Sequence, residues 1–425
     1  MNTLQIPLLF LVCWLVTQET FAEDNGVGLF PPLGWNTWCS EASCEQHHSK
    51  GKLHDVCNET EIKQVADAMI SNGMFQLGYR YINLDDCWGA TKRAEDGSIQ
   101  ADKNRFPSGI KNLTDYLHSK GLLFGLYTSA GLYTCSSGGR DEPIPGSYGH
   151  YEQDAKTFAN WGVDYVKIDW CNTKVNGKEI DPETVHTEFS KALNATGRPI
   201  FLNLCRGYSY PPPSYTAKVA NSWRVNGDHH DRWDDSTSHV IEIMAPVAKY
   251  AGPGGWNDPD FLMTGGAGCD DFSMSHCPGQ TDIEYKTEFS IWSITASPLL
   301  VSTDIRNMTS IMKEILLNKE ILAVNQDKRR VAGGRVGFHD CSEGKEICQI
   351  WARPLEGLSK AVVLYNAGKD DHDIVLDFKQ IGWEGKKVMI RDLWAHKDLG
   401  SFTGDFKSHV VSHGCTMLNI TLTDE

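Results

Sequence analysis

The run Asp164-Tyr165-Val166-Lys167-Ile168-Asp169-Trp170-Cys171 sets a lysine and a carboxylate two residues apart inside an apolar segment. Strand side chains alternate between faces, so Lys167 and Asp169 share one face while Val166, Ile168 and Trp170 take the other. A charged pair on the inner face of a strand is expensive unless it is paired or used. One reading is a structural ion pair; the other is a nucleophilic carboxylate kept ionised by a neighbouring cation. A second constellation, Trp223-Arg224-Val225-Asn226-Gly227-Asp228, ends with an arginine and an aspartate four apart, followed by His229, His230 and Asp231. Two carboxylates at one mouth suit glycoside hydrolysis, with Asp169 as nucleophile and Asp228 as general acid/base. Their proximity is expected to raise the pKa of Asp228, so that it starts protonated. A metal site at Asp228, His229, His230 and Asp231 is the weaker reading, because adjacent side chains of an extended run diverge. No metal and no other cofactor is expected.

Such residues need elements that bring them to one place. Ile62, Val65, Ala66, Met69 and Ile70 recur with helical spacing before Gly73, and Tyr79 to Leu84 is a strand that ends in Asp85-Asp86-Cys87-Trp88. The alternation continues: a helix through Ile110, Leu113, Tyr116 and Leu117, a strand from Leu122 to Thr128, a helix through Tyr151, Ala155 and Phe158, then the Lys167 strand. A further helix through Val185, Phe189 and Leu193 precedes a strand from Ile200 to Leu204, and the last unit is expected as a strand from Ile294 to Asp304 before a helix carrying Ile311, Ile315, Leu316 and Leu322. Repeated strand-helix units with apolar strands predict an α/β fold, a (β/α)8 TIM barrel. Trp35, Asp85, Asp86, Tyr127, Asp169, Arg206, Arg224, Asp228, Asp258 and Asp260 all fall at or just past the C-terminal ends of expected strands, where barrel enzymes keep their chemistry. Beyond Asp327, short alternating runs between Gly, Asp and Lys turns predict a C-terminal antiparallel β-sandwich. The expected domains are a signal peptide over 1–22, a catalytic barrel over 23–327 and a sandwich over 328–425.

The apolar block from Ile6 to Val16 resembles a secretory leader and is too short to span a bilayer; no later run is apolar enough to cross one. A formal charge of −15 and a pI near 5.4 argue against nucleic acid as a partner. Thirteen cysteines, and sequons at Asn58, Asn112, Asn194, Asn307 and Asn419, fit an oxidising compartment and a glycoprotein that is secreted or lysosomal.

Leu33-Gly34-Trp35-Asn36-Thr37-Trp38, Asp85-Asp86-Cys87-Trp88, Lys167-Ile168-Asp169, Arg224 with Asp228, and Gly252-Pro253-Gly254-Gly255-Trp256-Asn257-Asp258-Pro259-Asp260 together resemble glycoside hydrolase family 27, the α-galactosidases and α-N-acetylgalactosaminidases. The resemblance implies a retaining exo-α-galactosidase acting on terminal α-galactosyl glycans, glycolipids or oligosaccharides, with a homodimer among the assemblies to consider. It implies that Asp85 and Asp86 bind the 4- and 6-hydroxyls of galactose and that Lys167 bonds the 3- and 4-hydroxyls. Arg224 would reach the 2- or 3-hydroxyl, and Trp35, Tyr127 and Asp260 would line the pocket. It also implies the disulfides Cys39–Cys87, Cys44–Cys57 and Cys135–Cys171. Proximity alone suggests Cys269–Cys277 and Cys341–Cys348, which leaves Cys205 and Cys415 unpaired. The sequence departs from the family after the fifth strand. There Cys205-Arg206-Gly207-Tyr208 replaces the Cys-Glu-Trp or Cys-Ser-Trp that reads the 2-substituent. Arg206 can donate to a hydroxyl, counts against an N-acetyl group, and leaves room for a substrate with an acidic group. An α-N-acetylgalactosaminidase, a β-L-arabinopyranosidase and a non-catalytic galactose-binding protein are the alternatives.

Overall fold

In the computed structural model, which describes residues 24–38, 56–137, 142–206, 211–266, 279–339, 341 and 347–423, the strand-helix alternation builds a barrel. The signal peptide expected over 1–22 lies outside the described residues, as do Cys39, Cys44, Cys269 and Cys277. Strands β1 (Leu33–Asn36), β2 (Tyr81–Asn83), β3 (Leu123–Ser129), β4 (Tyr165–Asp169), β5 (Phe201–Cys205), β6 (Ser222–Arg224), β7 (Trp256–Asp258) and β8 (Leu299–Val301) are all parallel, in the order β8-β1-β2-β3-β4-β5-β6-β7. The ring closes just past β7, where the Leu262 N–H donates to the Leu300 carbonyl and the Ser302 N–H to the Leu262 carbonyl, both at 2.9 Å.

Between the strands run α1 (Glu59–Ser71), α2 (Ile110–Ser119), α3 (Tyr151–Trp161), α4 (Pro182–Ala195), α5 (Thr216–Val219), α6 (Ser238–Met244), α7 (Asp282–Ile294), α8 (Ser310–Leu316) and α9 (Lys319–Asn325). Helix α1 buries Ile62, Val65, Ala66 and Met69 against the barrel, and the Asn58 carboxamide caps it by accepting the N–H groups of Thr60 and Glu61. Two expectations change here. Ile294 ends a helix, and the last strand begins only at Leu299. The helix expected through Leu322 is broken in two, because Asn318 restarts it as an N-cap, accepting from Glu320 and Ile321.

Among the described residues the second domain has eight antiparallel strands: β9 (Gly334–His339), β10 (Cys348–Pro354), β11 (Ser359–Asn366), β12 (His372–Asp377), β13 (Lys387–Asp392), β14 (Lys397–Thr403), β15 (Asp405–Val410) and β16 (Cys415–Leu422). Six form one sheet, β9-β10-β11-β16-β13-β14, and β12 pairs with β15 in the other. Alternation explains why β11 is apolar from Ala361 to Tyr365. Ala361, Val363 and Tyr365 join the barrel core, and Val362 and Leu364 join the core between the two sheets.

The junction is fastened by Arg353, which is fully buried and donates through Nη1 to the carbonyls of Ser293 (3.1 Å) and Asn325 (3.2 Å) at the ends of α7 and α9. Burial brings its pKa down to about 10, so it remains charged. Arg353→Ala leaves a cavity and two orphaned carbonyls, and is expected to cost about 2–4 kcal/mol in chemical denaturation. Arg353→Met fills the volume without restoring the donors and is expected to recover only part of that loss. Equal stability of the alanine variant and the wild type would remove Arg353 as the junction's anchor.

Candidate active site

The parallel register sets Tyr127 beside Lys167 and Lys167 beside Asn203, so the inner faces of β3, β4 and β5 present these groups at one level. Lys167 Nζ pairs with Asp85 Oδ2 at 2.9 Å and lies 5.3, 5.2 and 5.8 Å from the ring centroids of Tyr127, Phe261 and Trp38. One level further out, Asp169 accepts the Tyr127 hydroxyl at 3.0 Å and the Trp170 N–H at 2.7 Å. The two acids after β2 are held by backbone bonds: the Asp85 N–H donates to Thr37 Oγ1 at 2.8 Å, and Asp86 Oδ2 accepts the Ser136 N–H at 2.6 Å. Trp35 is buried, and its indole donates to the Thr303 carbonyl at 2.8 Å. Of these contacts, those from Trp38, Thr303, Ser136 and Phe261 were not foreseen, since no local pattern marks a contact made across the barrel.

Beyond β6, Arg224 Nη2 reaches Asp260 Oδ2 at 2.9 Å and Asp228 Oδ1 at 3.4 Å, and also donates to the Gly227 carbonyl. Asp260 further accepts the His229 N–H at 2.8 Å and holds φ at 85°, a left-handed conformation unusual for a non-glycine residue. Such strain persists only where surrounding bonds over-determine it, and here Arg224, His229 and the Asp258 carboxylate (2.9 Å from the Asp260 N–H) do so. Asp228 is the exposed member, with 61% of its side chain accessible. Beside it opens a cavity of about 380 Å3 lined by Asn226, Asp235, Ser236, His239 and Ile243.

The electrostatics overturn one expectation. Partial desolvation by the cleft walls alone would raise Asp228, yet Arg224, Lys167 and His230 outweigh it and hold the carboxyl below its ordinary range. Asp169 is the one shifted upward, by burial and by the charge of Asp228, against the opposing pull of Lys167. The two carboxyls are thus shifted in opposite senses, because the arginine grips Asp228 rather than Asp169. Burial also pushes Asp86 up to about 6, against the bonds from Ser136 and Thr134, and Asp260 up to about 6, against Arg224. Lys167 stays cationic: Asp85, Asp169 and Asp260 more than offset its burial.

The disulfides need a second correction. Cys57 bonds to Cys87, with a Cα–Cα distance of 6.2 Å, in place of the expected Cys44–Cys57 and Cys39–Cys87 pairs. The chain before α1 is drawn over β2 by the bond from the Glu59 N–H to the Arg105 carbonyl and by Arg105 Nη1 on the Cys57 carbonyl, which brings the two sulfurs together. Cys135–Cys171 fastens the end of β4 to the loop after β3, and Cys341–Cys348 closes a short turn of the sandwich. Cys205 and Cys415 are free thiols. Among the sequons, Asn112, Asn194 and Asn307 are exposed and Asn58 is the cap of α1, whereas Asn419 lies within β16 with a buried amide oxygen. Arg206 turns toward α4, its guanidinium 5.3 Å from the Trp170 ring centroid. Among the described residues, no helix is long and apolar enough to cross a membrane.

A TIM barrel with Asp169 and Asp228 at or just past the C-terminal ends of two of its strands, joined to a β-sandwich, defines a glycoside hydrolase. The chain belongs to the α-galactosidase A family, whose model matches residues 30–327; a second model, the α-galactosidase C-terminal β-sandwich domain, matches residues 345–420. Among its relatives, α-galactosidase 2 of Arabidopsis thaliana is 41% identical over 406 residues, covering 95% of this chain and 92% of the relative. The α-galactosidase of Cyamopsis tetragonoloba is 40% identical over 403 residues, covering 94% and 88%. The crystal structure of α-galactosidase I from Mortierella vinacea superimposes with a TM-score of 0.80 at 30% identity, covering 95% of this chain and 100% of that one.

Proposed function

We propose that the chain is a retaining exo-α-galactosidase that removes terminal α-galactosyl residues from glycans, glycolipids or oligosaccharides. The observation that carries this reading is the buried Lys167–Asp85 pair beside Asp169, opposite the Arg224–Asp228–Asp260 cluster, in a chain of this family. Asp169 attacks the anomeric carbon as the bond to the leaving oxygen breaks, and Asp228 gives that oxygen a proton. Water then attacks the galactosyl–Asp169 ester, Asp228 takes its proton, and galactose leaves with its configuration retained. Lys167 holds positive charge beside the nucleophile, while Tyr127 and the Trp170 N–H orient its oxygens. The leaving group lies toward the cavity beside Asp228.

Asp85 and Asp86 read the axial 4-hydroxyl and the 6-hydroxyl, since a buried carboxylate left unpaired by the wrong epimer rejects it strongly. A secreted or lysosomal placement is supported by the disulfides Cys57–Cys87, Cys135–Cys171 and Cys341–Cys348. The test compares p-nitrophenyl α-galactoside, α-N-acetylgalactosaminide and β-L-arabinopyranoside at mildly acidic pH. The α-galactoside is expected to lead in kcat/KM by at least about tenfold, with the α-anomer of galactose appearing first by NMR. Initial release of the β-anomer would rule out the double displacement. Preference for the N-acetylated substrate would overturn the sugar assignment.

A further inference from the structure

Behind Trp170, the residue after the proposed nucleophile, lies a small cavity of about 20 Å3 lined by His186, Arg206, Tyr215, Trp223 and Arg224. Three of these residues carry a buried nitrogen without a hydrogen-bond partner among the described residues: His186 Nε2, Arg206 Nε and Arg224 Nε. His186 is only 1% exposed, and its other ring nitrogen lies 3.2 Å from the Tyr215 hydroxyl. When that hydroxyl donates to Nδ1, the ring proton sits on Nε2, and all three unpaired nitrogens become donors. Arg206 acts on the Asp181 carboxylate through its charge alone, and Asp181 Oδ2 caps α4 by accepting both the N–H and the hydroxyl of Thr184. Unpaired buried donors are costly, so three around one cavity point to an absent acceptor. Free space of this size takes one or two oxygen atoms, which fits a carboxylate or the outer oxygens of a sulfate ester.

We propose that this cavity is a subsite for an oxyanion carried by the substrate, gripped by Arg206, Arg224 and His186. Two guanidinium groups and an imidazole facing one acceptor make the charge-assisted bonds that such a group requires. Arg224 belongs to both sites, since it also holds Asp228 and Asp260, so an anion drawn to its Nε edge sits beside the reacting sugar. The inference rests on the α-galactosidase reading for the identity of that sugar. It makes the enzyme one that prefers acidic galactosides over neutral ones.

The test measures kcat/KM for p-nitrophenyl α-galactoside and for its 2-O- and 3-O-sulfates, the positions Arg224 is proposed to reach. Wild type, Arg206→Gln and His186→Leu are compared, and inorganic sulfate is titrated into each by calorimetry. In the wild type one sulfated substrate is expected to be favoured about tenfold, and both variants are expected to bring the ratio to about one or below. The ratio is taken within one protein, so a loss of folded fraction cancels. Sulfate that binds the wild type and not Arg206→Gln, without preference for either sulfated substrate, would assign the cavity to a free anion and overturn the substrate-borne oxyanion. Neither binding nor preference would overturn the subsite altogether. If no galactoside turns over, the α-galactosidase reading fails, while the calorimetry still decides the cavity.

Discussion

Asp169→Asn is expected to lower kcat on p-nitrophenyl α-galactoside by about 10,000-fold or more, the scale seen when a nucleophile is removed from a working constellation. The amide has nearly the carboxylate's shape; its single oxygen can keep the Trp170 N–H while its NH2 donates to the Tyr127 hydroxyl, which turns to accept, so the cleft should stay folded. What it lacks is the negative charge that forms the covalent ester. Galactose binding, followed by calorimetry, should survive within about tenfold, because the groups proposed to hold the sugar are untouched. This separates an enzyme from a sugar-binding protein. Turnover within tenfold of the wild type would remove Asp169 as nucleophile, and loss of both turnover and binding would point to a structural ion pair.

Asp228→Ala should cost about 100- to 10,000-fold on natural galactosides, whose leaving groups need a proton, and far less on the p-nitrophenyl substrate, whose leaving group does not. With the activated substrate the galactosyl ester should accumulate, and azide, a nucleophile that needs no general base, should restore turnover by forming galactosyl azide. The pH profile carries the same assignment. Productive attack needs Asp169 ionised and Asp228 protonated, and both shifts work against that state: Arg224 holds Asp228 down while burial and the charge of Asp228 lift Asp169. Activity should therefore fall at low pH as Asp169 gains its proton, and fall again with rising pH as the pair loses its last one. That places the optimum on the acidic side of neutrality. In Asp228→Ala the high-pH limb of kcat/KM should vanish, since no general acid is left to deprotonate. A wild-type limb that persists in the variant would assign it to another group; Asp86 and Asp260, both pushed up to about 6, are the first to examine.

The barrel was legible because its strands and most of its helices carry local periodicity, and because the acids stand just past the strands that deliver them. Asp85, Asp86, Lys167, Asp169, Arg224, Asp228 and Asp260 needed only the rule that parallel strands in a barrel end on one face. Helix α7 escaped because it lies between barrel and sandwich and is buried on nearly every side, which leaves no polar stripe to read. Its capping box of Thr281 and Glu284 was the signal that could have found it. Residue types and local periodicity by themselves thus determined the architecture, the set of charged groups and the chemistry open to them.

The tertiary structure decided what depends on distance between segments remote in the chain. It paired Cys57 with Cys87, because a loop drawn over β2 brings those sulfurs together. It sent Arg206 to the wall shared with His186 and Tyr215. It also lifted Asp169 above and held Asp228 below the ordinary carboxylate range, because a carboxyl's pKa answers to the sum of burial and every nearby charge. Arg224 reaches Asp228 and Asp260 only after β6 and β7 have been laid side by side.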